Sequence, residues 1–193
     1  MKPKLKAIVG LGNPGETYAR TRHNAGARAV EMLARLEDFS FRPNRSLKSF
    51  VASADLEGEP LILVVPQTFM NLSGEAVEAL LKKKNVGLNN LLVVYDDVAL
   101  PLGAMRFKSS GSDGGHNGVA SIMERLGTKD FARLRLGIGN KEGYSDLSDY
   151  VLSAFKKDEE PELKLMLDRS AEAIRMWVTQ GLIPTMNCFN KKT

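Results

Sequence analysis

The chain has 193 residues, 43% hydrophobic and 26% charged, which excludes a disordered polymer and suits one domain, residues 1–193, with a full core. No apolar run approaches the roughly 20 residues needed to span a bilayer, so the reading has no place for a membrane. A single cysteine, Cys188, rules out an internal disulfide and an all-cysteine metal site.

The basic start, Met1 to Lys6, is followed only by Ala7 to Leu11 before Gly, Asn and Pro. That run is too short for a signal peptide, and a cytoplasmic location is expected. The net charge of +4 does not by itself indicate nucleic acid. Basic residues recur, however, in Arg20–Arg22, Arg42–Arg45–Lys48, Arg106–Lys108, Arg133–Arg135 and Lys191–Lys192. Such groups form a phosphate-binding surface if the fold clusters them, and otherwise are scattered solvated charge.

In chain order, Lys4 to Gly10 reads as a buried strand ending in a Gly-Asn-Pro-Gly turn. Asn24 to Leu36 reads as a helix with Val30, Leu33 and Leu36 on one face. Phe50 to Leu56 and Leu61 to Val65 are strands around a turn at Glu57–Pro60. Ser73 to Lys84 is a helix with Ser73 as its candidate N-cap and Val77, Leu80 and Leu81 inward. Leu91 to Tyr95 is an apolar strand stopped by Asp96 and Asp97, and Ala104 to Lys108 alternates as a strand. A Gly-rich stretch, Gly111 to Gly118, leads into a helix through Leu126. Arg133 to Ile138 is the last strand, and two helices, Ser148–Phe155 and Pro161–Gln180, finish the chain. Strands alternating with helices predict an α/β domain with a mixed, mostly parallel central sheet flanked by helices. Chemistry in such sheets gathers at the carboxyl ends of strands.

Gly10-Leu11-Gly12-Asn13-Pro14-Gly15 matches the dinucleotide pattern G-x-G-x-x-G. Pro14 sits where backbone N–H groups would meet a pyrophosphate, the helix does not begin at the third Gly, and no acidic strand end follows at the ribose position. A nucleotide-binding dehydrogenase is therefore set aside, and the motif is read as a rigid turn presenting Asn13. His23, just ahead of a helix, has the chemistry of a general base, although a lone histidine is more often structural. Asp96-Asp97, after a buried strand, offers a carboxylate to hold an imidazole in one tautomer; periodicity does not say which of the two.

Asn71, between strand and helix, is either a turn residue or an amide aimed at a developing oxyanion. Phe69 beside it is either core or a stacking face for a base or sugar. The stretch Gly111-Ser112-Asp113-Gly114-Gly115-His116-Asn117-Gly118 suits a mobile lid or a close backbone approach to a ligand, with His116 and Asn117 at a helix start where anions bind; the alternative is a plain flexible loop with Asn117 as the helix cap. There is no G-x-S-x-G elbow, and a metal site built from His23, His116 and an aspartate, the other chemistry these residues allow, lacks any short ligand spacing. What these residues leave is a histidine–carboxylate pair activating water among asparagine amides.

Together these segments are familiar. Gly10 to Gly15, then Tyr18 and Thr21-Arg22-His23-Asn24-Ala25-Gly26, resembles the opening signature of bacterial peptidyl-tRNA hydrolases. Phe69 to Gly74, Asp96-Asp97, Leu100 to Gly103, Gly114 to Gly118 and Arg133 to Gly139 follow in that family's order. The resemblance implies an α/β/α fold and hydrolysis of the ester joining a peptide to the 3′ end of tRNA. It implies His23 as the base, Asp96 as its orienting partner, and Asn13 distinguishing a peptide-blocked aminoacyl group. It also implies Asn71 and Asn117 orienting peptide and ester, Gly114 and His116 in the substrate site, and Tyr18 and Phe69 lining the tRNA end. Arg106, Lys108 and Arg135 would meet phosphates. No cofactor, no metal and a monomer are expected.

The chain departs from the pattern in four places: Ser112-Asp113 adds a negative charge to the Gly-rich run, and Val98-Ala99 replaces a more polar pair. Arg106 stands where lysine is frequent, and Asn140-Lys141 stands where proline often follows. A non-catalytic RNA-binding or splicing relative of the same fold is the alternative, favoured if His23 or Asp96 were missing; both are present.

Overall fold

A computed structural model describes residues 4–139, 143 and 145–190. Lys191–Lys192 and Asn140-Lys141 lie outside the described residues. The strands are β1 (Lys6–Gly10), β2 (Arg42–Asn44), β3 (Ser49–Leu56), β4 (Glu59–Pro66), β5 (Leu91–Asp97), β6 (Met105–Lys108) and β7 (Ala132–Gly137). The helices are α1 (Ala25–Leu36), α2 (Ser73–Lys84), α3 (Asn117–Leu126), α4 (Leu147–Val151), α5 (Glu160–Gln180) and α6 (Leu182–Phe189).

The strands form one sheet in the order β2-β3-β4-β1-β5-β7-β6. The central four, β4, β1, β5 and β7, run parallel. The β3–β4 hairpin extends one side, β2 pairs antiparallel to β3, and β6 closes the other side antiparallel to β7.

Strands apolar on both faces need cover on both faces. Ile8, Leu92, Val94 and Leu134 meet Val30 and Leu33 of α1 and Ile174 and Trp177 of α5. Ala7, Val9, Leu91 and Val93 meet Val77 and Leu80 of α2 and Val119 and Ile122 of α3. The result is the three-layer α/β/α arrangement.

Two glycines permit close approach. A Cβ on Gly26 would overlap the carbonyl oxygen of Val94, and one on Gly74 would overlap that of Ser121. Gly26 lets α1 settle onto β5, and Gly74 lets α2 cross α3. The first contact brings the turn before α1 down to the carboxyl ends of β1 and β5, where Leu11 N–H donates to Val94 O at 2.9 Å.

Several local expectations need correction. Asp96 and Asp97 do not lie beyond the strand; they are its last two paired residues, opposite Leu136 and Gly137. Ser73 does not cap α2, because a 3₁₀ turn over Met70–Leu72 precedes the helix and the Ser73 hydroxyl donates to Met70 O at 2.8 Å. Leu36, expected inward with Val30 and Leu33, is 58% exposed at the end of α1. The helix read over Ser148–Phe155 is shorter, Leu147–Val151, and α6 was not foreseen. α6 is a short apolar segment after Gly181, and it packs on β6, where the Asn190 side chain that follows it bonds both the N–H and the C=O of Phe107.

Candidate active site

A cleft of about 400 Å³ opens at the carboxyl ends of β1, β4 and β5. Asn13, His23, Phe69, Asn71, Asp96, Gly114, His116 and Asn117 line it, bringing together eight residues singled out from five separate stretches of sequence.

His23 lies in a 3₁₀ turn, Arg22–Asn24, and is 7% exposed. The residues on either side hold that turn. The Asn24 side chain accepts from Asn13 N–H and donates to Asn13 O, both at 2.9 Å. The buried Arg22 guanidinium donates to Glu159 at 2.7 Å and lies 4.5 Å from the Tyr150 ring centroid. Arg22 therefore belongs to the scaffold and drops out of the expected basic surface.

His23 Nδ1 faces both oxygens of Asp96, at 2.9 and 3.0 Å. A donating Nδ1–H leaves the Nε2 lone pair as the basic position of this imidazole. The choice between the two aspartates is thereby made. Asp97 points elsewhere, accepting from Ala99 N–H at 2.8 Å and from the Arg135 guanidinium at 2.5 Å.

The sequence did not reveal that a second imidazole shares Asp96. His116 Nε2 lies 2.9 Å from Asp96 Oδ1, and its ring centroid is 4.8 Å from that of His23. His116 Nδ1 accepts from Gly118 N–H at 3.2 Å and Val119 N–H at 3.3 Å, which makes His116 the cap of α3. Asn117, read as an alternative cap, is the first helical residue. An Nδ1 that accepts must be unprotonated, so Nε2 carries the hydrogen given to Asp96. Burial alone would raise the Asp96 carboxyl; the imidazoles of His116 and His23 outweigh it and hold the group well below the usual carboxylate range.

His23, Asp96 and His116 offer ligand atoms within 4.8 Å of one another. A metal-binding histidine donates through its other ring nitrogen, whereas His116 Nδ1 accepts there. The trio fits a hydrogen-bond network better than a ligand set.

Asn13 Oδ1 accepts from Met70 N–H at 2.8 Å, so the group Asn13 offers the cleft is its NH2. Tyr18 stands edge-on to Phe69, with ring centroids 6.5 Å apart, but is not itself a lining residue. Arg106 and Lys108 are exposed on edge strand β6, outside the cleft, directly opposite Arg135 and Arg133. Arg135 is engaged by Asp97, and Arg133 is 1% exposed. The basic surface is thus narrower than composition indicated. Sequence reasoning also missed the apolar wall formed by Leu147, Val151 and Leu152; nothing local marks those residues, because the wall arises from where α4 docks.

The family model described as Peptidyl-tRNA hydrolase matches residues 7–193. The chain belongs to the peptidyl-tRNA hydrolase family. Among peptidyl-tRNA hydrolases it is 50% identical to that of Chloroflexus aggregans over 184 residues, covering 95% of this chain and 97% of the relative. It is 44% identical to that of Desulfitobacterium hafniense, covering 97% of this chain and 100% of the relative. The crystal structure of an Arg119Gln mutant of the Acinetobacter baumannii peptidyl-tRNA hydrolase superposes with a TM-score of 0.92 at 32% identity, covering 100% of this chain and 98% of that one. The peptidyl-tRNA hydrolase function, an ester hydrolysis, follows from these likenesses, which do not favour the non-catalytic alternative. Among the described residues no helix of this peptidyl-tRNA hydrolase is long and apolar enough to cross a membrane.

Proposed function

We propose that His23 is the general base of a metal-independent attack of water on the ester between peptide and tRNA, with Asp96 orienting it. The observation that carries this reading is the Nδ1 contact of His23 with a buried carboxylate inside an amide-lined cleft. Water gives a proton to His23 Nε2 as its oxygen bonds to the ester carbonyl carbon. The carbonyl oxygen becomes an oxyanion, and the Asn71 amide donates to it. Collapse breaks the bond to the 3′ oxygen of the terminal ribose, which takes the proton back from His23. No covalent enzyme intermediate is needed when water is well oriented.

His116 has a separate role. Its Nδ1 is occupied by the start of α3, so it acts as a fixed neutral donor to Asp96, and the proton traffic belongs to His23. The NH2 of Asn13 meets a carbonyl of the blocked amino group, Asn117 and the backbone at Gly114 orient the peptide, and Phe69 with Tyr18 forms a stacking rim. Arg106 and Lys108 meet phosphates, with Arg135 contributing beside Asp97. The enzyme acts in the cytoplasm as a monomer without a cofactor.

The test is release of peptide from an N-blocked aminoacyl-tRNA in the presence of chelator, comparing the native protein with His23→Ala. Cleavage that survives chelator and is lost in the variant supports the reading. Cleavage abolished by chelator, or retained by His23→Ala, overturns it.

A further inference from the structure

Among the described residues Arg133 is a buried cation with no carboxylate partner, and its contacts converge on the loop that carries His116. It lies on β7, whose alternation gives it the same face as Arg135, yet it is 1% exposed. Its fork donates from Nη1 to Ser112 O at 2.7 Å, and from Nη2 to Gly111 O at 2.7 Å and Lys129 O at 3.1 Å. The guanidinium carbon lies 4.4 Å from the centroid of the Phe131 ring. Backbone carbonyls and a π face thus solvate a charge that burial would otherwise make costly, while Nε is buried without a hydrogen-bond partner.

Within the segment so held, Asp113 accepts from Gly115 N–H at 2.7 Å and from His116 N–H at 3.1 Å, bonds that brace its end and leave its start to Arg133. Gly111, Gly114 and Gly115 all have positive φ, at 144°, 62° and 81°. Such a stretch has many conformations to lose on folding. Arg133 grips its start, while His116 at its end must present Nε2 to Asp96 and Nδ1 to α3. A second contact reaches the same imidazole: the guanidinium adjoins Tyr95, whose ring packs edge-on against His116 with centroids 4.9 Å apart.

We propose that Arg133 is a positioning residue for the hydrolysis, a clasp that fixes the Gly111–His116 loop and so holds His116 as a donor to Asp96. This rests on the role given to His116 above. Among the readings of this stretch, two short charge-assisted bonds at its start favour a close backbone approach over a mobile lid.

Arg133→Lys keeps the charge but not the planar fork, and one ammonium does not span the carbonyls of Gly111 and Ser112 as the guanidinium does. The experiment measures kcat and KM on an N-blocked aminoacyl-tRNA, together with the ring-nitrogen NMR spectrum of His116. We expect kcat to fall by about 10-fold or more, as sub-ångström misplacement of catalytic groups does, with KM near the native value. We also expect the single Nε2–H tautomer of His116 to give way to a mixture. Native kcat in a folded Arg133→Lys overturns the proposal, and so does a loss of kcat with the His116 tautomer unchanged. Should that variant not fold, Phe131→Leu removes the stacking face and is expected to change both readouts in the same direction; no change in either overturns the clasp. If the native protein cleaves no ester, the mechanism above fails, while the His116 spectrum still decides whether the clasp exists.

Discussion

Asp96 is the residue on which the site turns, because two imidazoles share one buried carboxylate. Replacing it by asparagine removes the charge that stabilises a protonated His23 and permits the wrong tautomer. By the precedent of serine-protease triads kcat should fall by about 10³–10⁴-fold, measured on the same ester. Asn71→Ala should cost about 10²–10³-fold in kcat if its amide serves the oxyanion; a native rate would remove it from that role. Asp96 also sets an acid limit. Its folded carboxyl lies below the usual carboxylate range, so the unfolded chain binds the proton more readily. The stability it contributes is complete above about pH 4, the unfolded value, and is lost as pH falls through the lower folded value. Urea unfolding from pH 5 down to pH 2 should therefore show a steeper loss of stability in the native protein than in Asp96→Asn.

At the scale of elements, the helices deliver the site only as far as their packing allows. α1 carries His23 at its entry, and its seat on β5 depends on the missing side chain of Gly26. Gly26→Ala should destabilise the protein by about 1–3 kcal/mol through overpacking, and more if the backbone cannot yield. It should also lower kcat, because α1 would lift His23 from Asp96. Thermal unfolding and initial rates check the two effects separately. α3 contributes differently: its first N–H groups are capped by an imidazole where the sequence offered Asn117 as a conventional cap, so helix start and the Asp96 hydrogen-bond network share one side chain.

Across the whole molecule, the sheet decides which charges are surface and which are scaffold. Arg22 and Arg133 are interior, Arg135 pairs with Asp97, and Arg106 and Lys108 remain exposed on the edge strand. Each phosphate contact contributes roughly 0.7–0.9 to the slope of log affinity against log salt. Arg106→Ala or Lys108→Ala should each weaken tRNA binding and reduce that slope by about that amount, read by titration at several salt concentrations. Arg133→Lys should leave the slope alone, since its guanidinium faces carbonyls.

The apolar runs Ala7 to Val9 and Leu91 to Val94 determined by themselves that β1 and β5 are buried on both faces, and the strand–helix alternation determined the layered class. The motif order, from Asn13 and His23 through Asn71 and Asp96 to His116, likewise determined the family, because it survives without any knowledge of distance. Tertiary structure alone decided that Asp96 and not Asp97 meets His23, that His116 joins them, and that α4 supplies an apolar wall. Those outcomes depend on side chains 20 to 73 positions apart meeting at strand ends, and hydrophobic periodicity carries no record of such pairings. It likewise decided that two arginines with equal sequence claims, Arg133 and Arg135, part company: one is covered by a glycine-rich loop and the other reaches a carboxylate, a difference set by what packs above the sheet.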